Sequence, residues 1–149
     1  MRPNVGRTII GGFAGTLAMT LLMYEGAPMM GLPKMDIAAL LGHVLGGWTP
    51  GMIMHFANGA VIFPLIYAYF LFSKLRGAPT LKGLTWGVVL WAMAQLIVMP
   101  MMGAGVFGLK MGGMMSAVAS LAGHVVYGAF LGWIGGYGRP ERIERVATA

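Results

Sequence analysis

The sequence of 149 residues contains no cysteine. This absence excludes disulfides, thiolate metal sites, iron–sulfur clusters, covalently attached c-type haem and a cysteine nucleophile. Charged residues are scarce as well, at 9% of the chain, whereas a soluble domain carries about 25%. So few charges cannot cover an aqueous surface, and the composition therefore predicts a surface that faces lipid.

The chain consists largely of long apolar runs. Hydrophobic residues make up 58% of it, and the mean hydropathy is +0.77. Residues 51–72 include no Asp, Glu, Lys or Arg, and a helix of that length is about 33 Å long, enough to cross a bilayer. The pattern predicts an all-α membrane protein, one domain over 1–149, with four transmembrane helices in a bundle at about 8–24, 51–72, 83–102 and 114–137.

The basic residues lie at the ends of these runs and form no patch with interleaved aromatics, so nucleic acid is not an expected partner. Counting Lys and Arg predicts that both the N- and C-termini are cytoplasmic, that 25–50 and 103–113 are outer loops, and that the protein is a multi-pass protein of the cell inner membrane. The residues counted on the cytoplasmic side are Arg2, Arg7, Lys74, Arg76, Lys82, Arg139, Arg142 and Arg145, against Lys34 and Lys110 on the other.

The first outer loop contains a short apolar segment, 37–45, bounded by an aspartate and two glycines. Asp36 is a good N-cap and Gly46 a good C-terminal residue for a helix. Nine residues make only about 14 Å of helix, too little to span. We therefore predict a short interfacial helix in which both Ala38 and Ala39 are accessible from the aqueous side.

Small residues recur at helical spacing in the first and last spans. Gly11 and Gly15 form a GxxxG motif, and small residues let two membrane helices approach closely. In the last span, we expect substitutions by bulky residues to be tolerated at positions outside the row of small residues, such as Phe130 and Leu131. We also expect the protein to form a homo-oligomer or to bind a membrane partner subunit. The row in the last span is Ser116, Ser120, His124, Gly128, Gly132 and Gly136.

A faint internal duplication relates the two halves of the chain and predicts two hairpins of the same orientation about an axis along the membrane normal. The matched pieces are His55-x-x-x-Gly59-Ala60 with His124-x-x-x-Gly128-Ala129, Gly26-Ala27 with Gly103-Ala104, and Gly31-Leu32 with Gly108-Leu109.

Several short motifs together resemble a prokaryotic family of small four-span integral membrane proteins, a domain of unknown function. The resemblance implies a four-helix membrane fold and brings no activity, cofactor or catalytic residue. The motifs are GLPKMDIAALLG (31–42), HFANGAVI (55–62), Lys82-Gly83, MPMMGAGVFG (99–108) and HVVYGAFLG (124–132).

Two histidines, His55 and His124, fall within spans of the same direction. Two imidazoles from two helices can ligate haem b or a transition metal. Their sequence distances from the next basic cluster differ by about one helical turn, roughly 6 Å of depth. The alternative is that each histidine bonds an intramembrane polar neighbour, and the candidates are Asn58, Gln95 and Ser120.

Methionine is concentrated toward the predicted outer half. Thioethers are soft ligands that suit Cu(I), and histidine can complete such a site. The candidate copper ligands are His43, His55, Met101 and Met102. The alternative is that these methionines only fill irregular gaps between helices and loops.

Catalysis and transport have little support in the sequence. Ser120 and His124 are one turn apart, but no Gly-x-Ser-x-Gly motif surrounds the serine and no span contains a carboxylate. A proton relay across the membrane needs charged groups within the spans, and the predicted spans contain none. We therefore expect no enzyme activity and a non-catalytic binding, scaffold or accessory-subunit role. A haem b or copper-binding protein and a small oligomeric transporter or channel are the alternatives.

Overall fold

The computed structural model describes residues 3–32 and 34–136 and is all-α in that part. Four helices are long and apolar enough to cross a membrane, as predicted. A short helix and a 3₁₀ turn, Val106–Gly108, lie in the two longer connections. The helices are α1 (Val5–Met29), α2 (Ile37–Leu45), α3 (Trp48–Leu71), α4 (Pro79–Met101) and α5 (Gly113–Gly135).

Each of the four predicted spans coincides with one of these long helices, although α1, α3 and α4 begin earlier and α1 ends later than expected. The predicted end of the last span at Tyr137, and the basic residues Arg2, Arg139, Arg142 and Arg145, lie outside the described residues.

The Nε of Arg7 donates a hydrogen bond to the carbonyl oxygen of Ile134 at 3.1 Å. The start of α1 and the end of α5 therefore lie at the same end of the bundle, called here the terminal end; α2 and the segment 102–112 form the opposite cap end.

Helix α5 packs between α1 and α4 through glycine on both sides. A Cβ at Gly15 would lie 2.8 Å from the carbonyl oxygen of Tyr127, and one at Gly11 would lie 3.1 Å from that of Phe130. On the other side, a Cβ at Gly128 would collide with the carbonyl oxygen of Gly83. These glycines let backbones touch within a single chain, so their presence gives no separate argument for self-association.

The row on α5 is buried at Ser116, Ser120, Gly128 and Gly132, and at Gly136 just beyond the helix. A Cβ at Gly132 would collide with the carbonyl oxygen of Pro79, and one at Gly136 with the ring of Pro79. The expectation for Leu131 is wrong, because this side chain is wholly buried in the core with Tyr67, Trp86 and Tyr127. Since α5 has a neighbour on two sides, a single row does not mark its whole buried surface.

The long helices contain π-helical segments, in which the N–H bonds the carbonyl five residues back. Three of these segments in the described chain each end two residues before a proline, which has no N–H to donate. The wider π turn shifts the pattern of backbone hydrogen bonds by one residue at the point where that donor is missing. The helix can therefore continue through the proline. The pairs are Leu22–Gly26 with Pro28, Asn58–Ile62 with Pro64, and Ala94–Val98 with Pro100.

Helix α2 forms a tight hairpin with the beginning of α3. A Cβ at Gly51 would collide with the carbonyl oxygen of Ala38, and one at Gly42 with that of Gly47. The short helix was predicted with its bounds, its cap Asp36 and its left-handed C-terminal Gly46. The expectation that Ala38 is accessible is wrong, however, because its side chain is 0% exposed under α3, whereas Ala39 is exposed.

The internal duplication has a counterpart in helix packing. A Cβ at Gly12 would lie 2.6 Å from the carbonyl oxygen of Gly59, and one at Gly83 would collide with that of Gly128. The glycine on α3 and the glycine on α5 each follow a histidine by four residues. The contact of α1 with α3 thus resembles that of α4 with α5.

The loop part of the predicted duplication has a different register. Gly31 and Gly103 have the same left-handed conformation, with φ of 76° and 78°. Leu32 N bonds Ala27 O at 2.9 Å, and Ala104 N bonds Met99 O at 3.0 Å. Gly31-Leu32 therefore corresponds to Gly103-Ala104 rather than to Gly108-Leu109.

The outward faces of the four long helices are apolar, which is the surface that contact with a bilayer requires. Large side chains stand exposed along each of them, so the fold is that of a multi-pass membrane protein. Examples are Ile10, Phe13 and Leu17 on α1, Ile62 and Phe70 on α3, Val89, Leu96 and Ile97 on α4, and Val118 and Trp133 on α5.

Candidate functional site

A cavity of about 270 Å³ lies inside the bundle and is lined by all four long helices and by α2. Its walls are mostly apolar, and each long helix adds polar side chains to them. A cavity with a few convergent polar groups is the usual form of a small-molecule site. The main polar residues are Thr16 and Thr20 on α1, His55 and Asn58 on α3, Gln95 on α4, and Ser116, Ser120, His124 and Tyr127 on α5.

The cavity lies in the half of the bundle near the cap end. Toward the terminal end, α3 and α4 meet where the Phe63 ring packs against Trp86, and where the Tyr67 hydroxyl donates to the carbonyl oxygen of Pro79. On the cap side of these contacts, the cavity reaches Met93, a side chain of α4 that is 45% exposed.

His124 is fixed by its own helix. Its Nδ1 lies 2.8 Å from the carbonyl oxygen of Ser120, and a carbonyl can only accept, so Nδ1 is the protonated nitrogen. The neutral imidazole then has its lone pair on Nε2. Because Nδ1 already donates to the backbone, this arrangement does not make it a base toward the Ser120 hydroxyl, which is 3.5 Å away.

His55 is fixed by α1. Its Nε2 lies 3.0 Å from the Thr20 hydroxyl oxygen, and that hydroxyl donates its hydrogen to the carbonyl oxygen of Thr16 at 2.7 Å. With its hydrogen committed, the Thr20 oxygen accepts from His55, so Nε2 is the protonated nitrogen. The neutral ring has its lone pair on Nδ1, and the threonine row of α1 thereby orients a residue of α3.

Gln95 is almost fully buried in the cavity wall, with 1% of its surface exposed. Its Nε2 donates to the Ser120 hydroxyl at 3.3 Å, while its Oε1 is buried without a hydrogen-bond partner. An unpaired buried acceptor costs about 1–3 kcal/mol. The geometry therefore leaves one strong acceptor without a partner in a residue that lines the cavity.

Asp36 organises the cap-end margin of the cavity. Its carboxylate accepts hydrogen bonds from the Tyr24 hydroxyl, from Ala39 N at 2.9 Å and from Trp48 Nε1 at 3.1 Å. Burial acts to raise the pKa of Asp36, but these hydrogen bonds, together with the charge of Lys34, outweigh it and keep the pKa below its ordinary value. Asp36 thus holds α1, α2 and α3 together as an ionised group.

The two intramembrane histidines line one cavity, together with Asn58, Gln95 and Ser120. The other candidate copper ligands lie elsewhere: His43 and Met101 are exposed, and neither they nor Met102 line this cavity. Three methionines of the predicted outer half do line it, with three more from within the spans. These six are Met19, Met23, Met35, Met93, Met99 and Met111.

The cavity constrains which cofactor fits. Within the described chain, no three His, Asp or Glu side chains converge on a metal position, so a copper ion would need thioether or amide ligands beside the imidazoles. The volume of about 270 Å³ lies just below the roughly 300–1,000 Å³ of ligand pockets. A head group or a metal ion fits this volume better than a haem macrocycle does.

Sequence reasoning missed two residues of the site. Tyr127 lines the cavity and donates from its hydroxyl to the carbonyl oxygen of Gly59 at 2.9 Å, linking α5 to α3. Thr20 was not among the predicted site residues, although it orients His55. A signal was present for the threonine, since it lies on the same i+4 row as Thr16.

Neither a curated protein nor a solved structure matches the chain significantly. One family model does, and it covers nearly the whole sequence, including all five helices and every residue of the cavity. Because that model matches residues 3–145, the chain belongs to the family of unknown function DUF6789.

Proposed function

We propose that this multi-pass membrane protein has a non-catalytic binding role and holds a small molecule in the cavity between its four spans. The observation that carries the proposal is the unpartnered Oε1 of Gln95, buried in a wall that also holds His55 and His124. Polar groups at membrane depth are costly and commonly mark a functional site.

The packing of the bundle supports a binding role rather than mere filling of space. The cap half would be more stable with apolar side chains closing the cavity, because an unpaired acceptor and an empty volume both cost free energy. Two hydrogen-bond chains instead fix the histidine rings, one through Thr20 and one through the Ser120 carbonyl. Such orientation serves a ligand that meets the rings from the cavity side.

A cavity-filling variant tests this role. Ala94 lines the cavity, whereas Leu96 on the same helix is 53% exposed on the outer face. We expect native protein and Leu96→Phe, purified in mild detergent, to carry about one equivalent of a small molecule by native mass spectrometry. Ala94→Phe should carry much less, because the ring occupies the cavity. Equal occupancy in both variants, or none in the native protein, contradicts the proposal.

Copper is the second candidate ligand, and the lone pairs of His55 Nδ1 and His124 Nε2 favour it. Imidazole and thioether together suit Cu(I), and methionines surround the cavity. Metal analysis and an absorbance spectrum of the same samples separate the candidates. Stoichiometric copper lost in Ala94→Phe establishes the copper role, and a Soret band establishes haem b.

We also propose that the protein lies in the inner membrane with both termini cytoplasmic, so that the cap end faces outward. The support is the distribution of Lys and Arg in the sequence, which orients membrane proteins with positive loops inside. A reporter that is active only in the cytoplasm, fused after Ala149, should be active. Activity only of an export-dependent reporter at that position reverses the orientation.

A further inference from the structure

We propose that the ligand of this cavity is a neutral, lipid-soluble molecule whose head group donates hydrogen bonds, such as an alcohol, a phenol or a quinol. The inference rests on the proposed binding function and specifies its chemistry. Its basis is the hydrogen-bond arrangement of three side chains, His55, His124 and Gln95.

The first step concerns the donors. The N–H of His124 is used by the Ser120 carbonyl, and the N–H of His55 is used by the Thr20 hydroxyl. The Gln95 amide donates to the Ser120 hydroxyl. The hydrogens of Thr20 and Tyr127 are also committed, to the carbonyl oxygens of Thr16 and Gly59.

The second step concerns the acceptors that remain. They include His55 Nδ1, His124 Nε2 and Gln95 Oε1, which carry lone pairs in a wall that is mostly apolar. A ligand that can only accept, such as an ether, an ester or a quinone, leaves these atoms unpaired. Sites built around a buried polar group reject ligands that leave it unpaired. A ligand with an O–H satisfies at least one of them.

The third step concerns charge. Asp36 is the one acidic side chain among the described residues that line the cavity. It lies at the margin, beside Lys34, and already accepts bonds from Tyr24 and Trp48. An ammonium group placed deeper would have no counter-charge, and burying an uncompensated charge is expensive. A neutral hydroxyl therefore fits the site better than an amine cation does.

The fourth step concerns size and entry. A volume of about 270 Å³ holds a head group, and the remainder of an amphiphilic molecule needs a path to lipid. We place this path beside Met93, because this side chain lines the cavity and is 45% exposed. An apolar tail can leave beside this side chain while the hydroxyl stays near Gln95.

Two probes of the same skeleton test the inference on the native protein. 4-Hexylphenol donates one hydrogen bond, and 4-hexylanisole has the same shape with the donor capped by methyl. Binding is measured by equilibrium dialysis with protein in lipid nanodiscs, after subtraction of partitioning into empty nanodiscs. We expect the phenol to bind about tenfold more tightly, the ratio that a single net hydrogen bond gives.

A pair of variants locates the effect. Gln95→Leu removes the unpaired acceptor and should reduce the phenol-to-anisole ratio severalfold. Trp86→Phe is the matched control, since Trp86 also has a buried unpartnered polar atom, its Nε1, but does not line the cavity. Its ratio should stay at the native value.

The outcomes separate this inference from the proposed function. Saturable binding of both probes with equal affinity overturns the donor inference and leaves the binding function standing. Saturable binding of neither probe overturns the inference, and it contradicts the binding function as well when native mass spectrometry finds no bound molecule. The comparison on the native chain decides the matter even where Gln95→Leu fails to fold.

Discussion

Gly128→Leu is expected to lower the free energy of unfolding by about 2 kcal/mol or more. A Cβ at Gly128 already collides with the carbonyl oxygen of Gly83 and would lie 3.1 Å from Leu84 Cα. Both are backbone atoms, which cannot rotate away as a side chain can. Overpacking of this kind costs about 3 kcal/mol, and the better helix propensity of leucine returns only about 1 kcal/mol.

The control lies on the same helix. Ala122 is exposed, so Ala122→Leu adds bulk toward lipid and should leave the melting temperature in detergent nearly unchanged. Gly128→Ala should fall between the two, because the collision begins with the first methyl. A Gly128→Leu protein that melts with the native one shows that α4 and α5 are not in backbone contact.

Much of the fold follows from the sequence because lipid imposes simple rules. Apolar length gives the number and place of the spans, and the Asp36 and Gly46 signals give both ends of α2. Packing direction is harder to predict. Leu131 lies off the small-residue row of α5 and is still fully buried, because a helix with neighbours on two sides buries more than one face.

Several residues that line the cavity were named from the sequence, among them His55, Gln95 and His124, but their arrangement was not predicted. Counting residues to the next basic cluster placed His55 and His124 at different depths, yet both line one cavity. Two π segments, Asn58–Ile62 and Tyr67–Leu71, lie in α3 between His55 and the end of the helix. Each accommodates an additional residue in a wider turn, so a count at the α-helical rise overestimates the depth difference.

The roles of individual side chains depended on contacts that no local pattern shows. The bond from Thr20 to His55 joins residues 35 positions apart, and that from Tyr127 to Gly59 joins residues 68 apart. Periodicity places such residues on a helix face but does not identify the neighbouring helix. The unpartnered Gln95 Oε1 likewise depends on contacts between α4 and α5 that no local pattern shows.

Asp36→Ala is expected to release α2 from the bundle without unfolding the spans. The substitution removes an N-cap acceptor and two side-chain hydrogen bonds to an ionised group, from Tyr24 and Trp48. Hydrogen bonds to charged groups contribute about 1.5–3 kcal/mol each, and a cap about 1 kcal/mol. We expect the amides of Ile37–Leu45 to exchange with deuterium at least about 30-fold faster, the factor that roughly 2 kcal/mol gives.

Acidification should have the same effect, with a sign that follows from the lowered pKa of Asp36. A carboxyl with a depressed pKa in the folded state stabilises the fold above its unfolded pKa of about 4, and that stability is lost as the pH falls through the folded value. Exchange of α2, corrected for the intrinsic rate, should therefore accelerate only below about pH 4. Asp36→Asn keeps an acceptor for the cap and should remove this pH dependence. Glu25→Ala is the control, because it removes an exposed carboxylate near the end of α1, and it should leave α2 protected. Faster exchange of α2 in that variant would show that the loss of any negative charge, rather than of the contacts of Asp36, releases α2.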